Sequence, residues 1–169
     1  MLLDGRYRLR PQASSASIVA SAPGHAFTAS GAGLEGEAEV ACGALVRVAV
    51  RFPLFALEAS DPIGTRQLSR FFGPTSRPWA EASLLAPAQL DVAPGGVLQG
   101  RLSMGFTFPE GPRPPRAFEV ELSGHLPRLS ARVVGASFTA FGFSPPRLLL
   151  WRVADPLRLE LELDVERLS

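Results

Sequence analysis

The sequence predicts an all-β protein, an antiparallel barrel or sandwich, and three observations predict it. The stretch Leu157 to Val165 alternates apolar and charged residues without a break. Successive side chains of a strand point to opposite faces, so this segment has one aliphatic face and one ionic face. A helix would smear both sets around its circumference, although Leu and Glu favour helices as isolated residues. The chain also holds 16 Gly and 16 Pro, which fall mostly between periodic segments, as in short strands joined by turns. Finally, about eight such alternating segments accompany a single helical pattern.

Taken in order, Tyr7 to Arg10 and Ala16 to Ala22 read as opening strands, followed by a turn at Pro23-Gly24. Phe27 to Ser30 and Leu34 to Ala41 are two more. In Leu45 to Phe52, Val46, Val48, Val50 and Phe52 share one face and Arg47 and Arg51 the other. Pro53 ends that strand because it cannot donate to a ladder. One helix is expected from Asp61 to Gly73: Asp61 can cap it, Pro62 suits its first position and Gly73-Pro74 closes it. Its Leu68, Phe71 and Phe72 fall on one side, as in a lid packed against the sheet.

Trp79 to Leu85 and Ala88 to Val92 precede the turn Pro94-Gly95-Gly96. Val97 to Phe108 is the longest strand expected, about 40 Å at 3.4 Å per residue. Leu98, Leu102, Met104, Phe106 and Phe108 share one of its faces. Pro109 to Pro115 is a loop. Phe118, Val120 and Leu122 then alternate with Glu119 and Glu121, and Leu129, Ala131 and Val133 with Arg128, Ser130 and Arg132. Phe138, Phe141 and Phe143 cluster before Pro145-Pro146. Leu148 to Val153 and Leu157 to Val165 finish the chain as one strand bent at Pro156.

At 169 residues the chain fits one domain with a sizeable core. Hydrophobic content of 46% and charge content of 20% are those of an ordinary soluble globular protein. Its 17 basic residues, all Arg, nearly cancel 16 acidic ones, so no strong field points to nucleic acid or an anionic membrane. The absence of Lys and Asn reads as codon bias in a GC-rich bacterial genome. Cys42 stands alone, which excludes an internal disulfide, and its apolar setting predicts a buried, inert thiol. No apolar run reaches the length of a membrane span, and Met1 to Arg10 has no signal-peptide pattern. The expected location is the cytoplasm, or the periplasm if a leader has been removed.

Catalytic chemistry finds no foothold. His25 and His125 lie far apart with no Cys pair to complete a metal site, so no metal or other cofactor is expected. There is no Gly-x-Ser-x-Gly elbow, P-loop or dinucleotide fingerprint. Glu119/Glu121 and Glu160/Glu162 share strand faces, as solvated outer positions of a barrel do. The apolar positions can either fill the barrel or line a lumen.

The C-terminal quarter carries a resemblance. Ser137-Phe138-Thr139-Ala140-Phe141-Gly142-Phe143, Pro145-Pro146 and Val153-Ala154-Asp155-Pro156-Leu157 resemble the ending of the YceI-like family. Gly24-His25-Ala26-Phe27, Leu34-Glu35-Gly36, Gln99-Gly100-Arg101-Leu102 and Arg113-Pro114-Pro115 resemble its earlier motifs. The resemblance implies an extended, eight-stranded, lipocalin-like antiparallel barrel holding a long apolar isoprenoid. The segment between Phe108 and Phe118 is longer and richer in Pro than is usual there.

The expected function is therefore non-enzymatic binding, storage or transport of a long apolar lipid of the polyisoprenoid class. The alternative is a solidly packed barrel serving a structural or protein-interaction role, and the sequence leaves room for a homodimer. The candidate lumen residues are Val46, Val48, Val50, Phe52, Leu68, Phe71, Phe72, Leu98, Leu102, Met104, Phe106, Phe118, Val120, Leu122, Phe138, Phe141, Leu159, Leu161 and Leu163. Each isoprene unit buried there would contribute roughly 3–4 kcal/mol before ordering costs. Arg66 and Arg70, one helical turn apart, are candidates for a pyrophosphate head group.

Overall fold

The computed structural model describes residues 4–60, 64–66, 79–108, 115–148 and 151–169. Its strands are β1 (Gly5–Leu9), β2 (Ser15–Ala22), β3 (His25–Ala32), β4 (Glu35–Ala41), β5 (Ala44–Pro53), β6 (Glu58–Ala59) and β7 (Trp79–Leu84). They continue as β8 (Ala88–Ala93), β9 (Val97–Thr107), β10 (Arg116–His125), β11 (Arg128–Val133), β12 (Arg147–Leu148), β13 (Trp151–Arg152) and β14 (Leu157–Arg167). Two 3₁₀ turns, Pro11–Ala13 and Leu54–Ala56, interrupt this run.

Several of these segments are halves of one bent strand. β1 and β2 are separated by the Pro11–Ala13 turn, β3 and β4 by Gly33-Leu34, and β5 and β6 by the Leu54–Ala56 turn. β7 and β8 share the space between β5 and β9. β14 then pairs with β2 through its first half and with β1 through its second, which closes the ring. Counted this way, eight antiparallel strands form a closed barrel in which each strand lies beside its neighbours in sequence. Closure removes the free edges that would otherwise invite pairing with another chain. Where β14 changes partner, the fully buried Ser14 takes over: its Oγ accepts the Asp164 N–H at 3.0 Å.

The alternating strands put their apolar residues inward, with one correction. Glu39 pairs with Arg47 but Val40 pairs with Leu45, so Val46 has no partner. This β-bulge turns Val46 outward, 39% exposed, and Leu45 inward, 6% exposed. Strict alternation placed Val46 on the face of Val48, and the extra residue breaks the period. Cys42 is also not buried. It is exposed in the two-residue turn between β4 and β5, at φ 52, beside Gly43 at φ 76. Asp4 holds this turn, its carboxylate accepting the N–H groups of Cys42 at 2.9 Å and Gly43 at 3.1 Å.

One further expectation changes. Leu148 to Val153 does not extend β14: β12 and β13 pair with each other, Leu148 opposite Trp151, and Pro156 is held separately by a bridge to Ser137. Of the helix expected over Asp61 to Gly73, residues 64–66 are helical. Leu68, Phe71, Phe72 and Arg70 lie outside the described residues.

The outer face carries cross-strand ion pairs. Glu121 on β10 sits between Arg101 and Arg132, directly opposite both in the register. Glu35 faces Arg51 at 2.7 Å, and Glu166 on β14 faces Arg8 across the closing seam. Such exposed pairs contribute a few tenths of a kcal/mol each, about 0.2–1 kcal/mol. Glu119, Glu121, Glu160 and Glu162 thus belong to solvated ladders.

Two of these outer carboxylates tie stability to pH. The N–H groups of Gly43 and then Cys42 hold Asp4 below its usual 3.8, and hydrogen bonds from Arg8 and then Arg10 hold Glu166 below its usual 4.5. A carboxylate whose pKa is depressed by folding stabilises the protein above its unfolded value, and the gain is lost as pH falls through the folded value. Thermal melts followed by circular dichroism should therefore show a midpoint that begins to fall below about pH 4.5. Glu166→Gln should make that acid limb shallower while leaving any alkaline limb unchanged; an identical acid limb in the variant would refute the role of the seam.

Candidate lipid-binding lumen

The barrel interior is built from the inward positions of its strands and is hollow in two places. The first chamber encloses about 110 Å³. Its wall includes Ala16 and Ile18 on β2, Phe27 on β3, Val50 and Phe52 on β5, Phe106 on β9, and Leu157, Leu159 and Leu161 on β14. Leu54 and Leu57, on and just after the 3₁₀ turn between β5 and β6, close one side. Phe108, Phe138, Phe141, Phe143 and Pro146 close another. Arg51 and Glu81 also border it, but both occupy outward strand positions and are exposed; Arg51 pairs with Glu35 and stacks on Trp79, 4.3 Å from the ring centre.

The second chamber encloses about 100 Å³ towards the other end of the barrel. Tyr7, Leu9, Ala38, Val40, Leu45, Val48, Leu90, Leu98, Leu102, Leu122, Leu129, Leu163 and Val165 border it, and Val50 borders both chambers. A cavity lined this way favours an apolar guest.

An aromatic cluster walls one side of the first chamber. Phe141 lies 4.6 Å from Phe118, 5.1 Å from Phe108 and 5.7 Å from Phe106, ring centre to ring centre. Phe143 adds an edge contact to Phe108 at 5.2 Å. These rings hang on the turn from Ser137 to Phe143, in which Gly142 supplies φ 89 and Phe143 N–H returns to the Phe138 carbonyl at 2.8 Å. Asp155 ties the turn to the approach to β14: its carboxylate accepts the Thr139 N–H at 2.9 Å and also the Thr139 hydroxyl. Arg116 adds two hydrogen bonds to the carbonyls of Thr139 and Ala140.

The structure thus distributes the sequence candidates. Val50, Phe52, Phe106, Phe138, Phe141, Leu159 and Leu161 border the first chamber. Val48, Val50, Leu98, Leu102, Leu122 and Leu163 border the second. Met104 and Val120 are buried and Phe118 half-buried in the main core cluster, and they border neither chamber. Val46 points out. Sequence reasoning missed Leu34, Leu54 and Leu57, which lie at strand breaks where no period operates. It also missed Ala16 and Ile18, whose alternation with Ser15, Ser17 and Val19 was the available signal.

Among the described residues, no three His, Cys, Asp or Glu side chains come together as a metal site. No described helix is long and apolar enough to cross a membrane. A groove of about 840 Å³ exists on the outer wall, but charged residues line much of it and Arg8, Arg10, Arg51, Glu35, Glu37 and Glu166 there are ion-paired.

No protein-family model matches the chain, and no curated protein does. Among solved structures it is similar to a polyisoprenoid-binding domain from Saccharophagus degradans implicated in plant cell wall breakdown. The match has a TM-score of 0.66 at 12% identity and covers 96% of this chain and 98% of that one. At that identity the similarity establishes the shared barrel architecture.

Proposed function

We propose that the protein is a non-enzymatic binder of an apolar lipid chain of the polyisoprenoid class, with the apolar tail held in the first chamber. One observation carries the reading. Leu157, Leu159, Leu161 and Leu163 on β14 point into the barrel but are only half-buried, because they face unfilled space. Core side chains of a solidly packed barrel would be fully buried, as Met104 on β9 and Val120 on β10 are. The apolar walls supply affinity by removing the tail from water, at about 0.8 kcal/mol per methylene, and need no reactive group. The similarity to a polyisoprenoid-binding barrel supports the same ligand class.

Native mass spectrometry of the purified protein, followed by solvent extraction, tests this. The expected result is a retained isoprenoid, or binding of added prenyl alcohols by delipidated protein. A barrel that retains none and binds none would instead be a structural or protein-interaction domain.

A further inference from the structure

Apart from Val50 the two chambers are lined by different residues, and the residues that border neither are specific. Along β9, Leu98 and Leu102 border the second chamber, Phe106 and Phe108 with its end border the first, and Met104 borders neither. Along β10, Leu122 borders the second chamber and Val120 neither. On β14 the change falls between Leu161 and Leu163. Met104 and Val120 are each only 4% exposed and belong to one core cluster, on adjacent strands and one inward position apart, since Val120 pairs with Leu102 and Met104 with Phe118. The barrel therefore narrows here, and Val50 on β5 borders both chambers.

Resting on the lipid-binding reading above, we propose that Met104 and Val120 form a stop that limits the protein to short prenyl tails, the tail ending at this waist instead of running the length of the barrel. Size argues for it. Each chamber, at about 110 Å³ and about 100 Å³, is on the scale of a cavity that takes one benzene-sized guest. A long polyisoprenoid needs both chambers joined. The chemistry of the stop also fits: Met is the unbranched side chain that best fills an irregular gap, so it closes a passage that branched neighbours leave.

The test measures dissociation constants of prenol, geraniol and geranylgeraniol by isothermal titration calorimetry. For the wild-type protein, affinity should rise from prenol to geraniol and then level off, changing less than about threefold to geranylgeraniol. Met104→Ala opens the waist and should bind geranylgeraniol about tenfold or more tighter than the wild type does, since an added isoprene unit then leaves water. Ala38→Phe fills the second chamber from β4 and gives an arm that does not depend on Met104→Ala folding. It should leave all three wild-type affinities within about twofold, because the tail never reaches it. A continued rise of about tenfold to geranylgeraniol in the wild type, or its loss in Ala38→Phe, would overturn the stop while leaving lipid binding intact. Binding of none of the three alcohols by any variant would overturn the lipid-binding reading, and the stop with it.

Discussion

Leu159→Trp is expected to weaken binding of farnesol by about 100-fold or more while leaving the barrel folded. Leu159 points inward from β14 opposite Ile18 on β2, and both residues border the first chamber. It is half-buried: it packs against the main core cluster on one side and borders the chamber on the other. An indole placed there occupies room that the ligand tail would take. Displacing a few methylenes of the tail at about 0.8 kcal/mol each forfeits roughly 3 kcal/mol, which is about two decades in affinity. Filling a void costs less than overpacking a tight core, so the change in stability should stay within about 1.5 kcal/mol. The neighbouring Arg158→Trp is the control. Arg158 occupies the outer face, paired with Glu160, and its replacement should leave farnesol affinity unchanged. Titration calorimetry and a thermal melt on both variants decide the matter: full farnesol affinity in a folded Leu159→Trp would remove the first chamber as the binding site.

How much of this was legible follows from where period-2 alternation holds. β14 was readable because nine residues in a row, 157–165, keep the period, and the structure keeps it too, with Leu157, Leu159 and Leu161 turned to one chamber. Leu98, Leu102 and Met104 were readable as one face for the same reason. Alternation cannot report whether a face meets a side chain or a void. Met104 and Leu159 carry the same sequence signal, yet one is packed at 4% exposure and the other faces space. Neighbours differ as well: Leu161, next inward on β14, lies between the small residues Ala16 and Ala131, whereas Met104 lies between the larger Phe118 and Leu84.

The misreadings have the opposite cause, a local break in the period. Val46 was assigned inward because it sits two residues from Val48, and a single bulge residue reverses it. Cys42 looks apolar in sequence because Ala41, Ala44 and Leu45 surround it, but the two-residue turn lifts it into solvent. The Asp155 to Thr139 link was beyond the sequence for a different reason. It joins residues 16 apart through a turn whose geometry depends on Phe138 and Phe141 docking in the barrel.

Gly31→Ala is expected to destabilise the protein by about 2–4 kcal/mol. Gly31 lies on β3 opposite Ala16, in ordinary strand conformation, so the reason is contact and not backbone freedom. A Cβ at this position would stand 2.3 Å from the Ala56 carbonyl oxygen and 2.8 Å from its carbon. Both atoms are backbone of the 3₁₀ turn Leu54–Ala56, which cannot swing aside as a long side chain could. The turn would have to back away, taking Leu54 and Leu57 with it. These two are 5% and 4% exposed, pack with Leu9, Leu34 and Phe52, and border the first chamber. The midpoint of thermal unfolding should therefore fall by roughly 5–15 °C, taking about 2–4 °C per kcal/mol for a chain of this size. Gly95→Ala provides the contrast. A Cβ there meets nothing within 4 Å, and only its φ of 88° opposes the change, so its cost should be about 1 kcal/mol. The two variants separate close approach from conformational strain. A Gly31→Ala melt no lower than that of Gly95→Ala would show that the turn yields freely. In that case the packing of Leu54 and Leu57 against the barrel could not be what shapes this side of the chamber. A low melt accompanied by weakened farnesol binding would tie the turn to the lumen, since the same displacement that relieves the clash pulls two leucines out of the chamber wall.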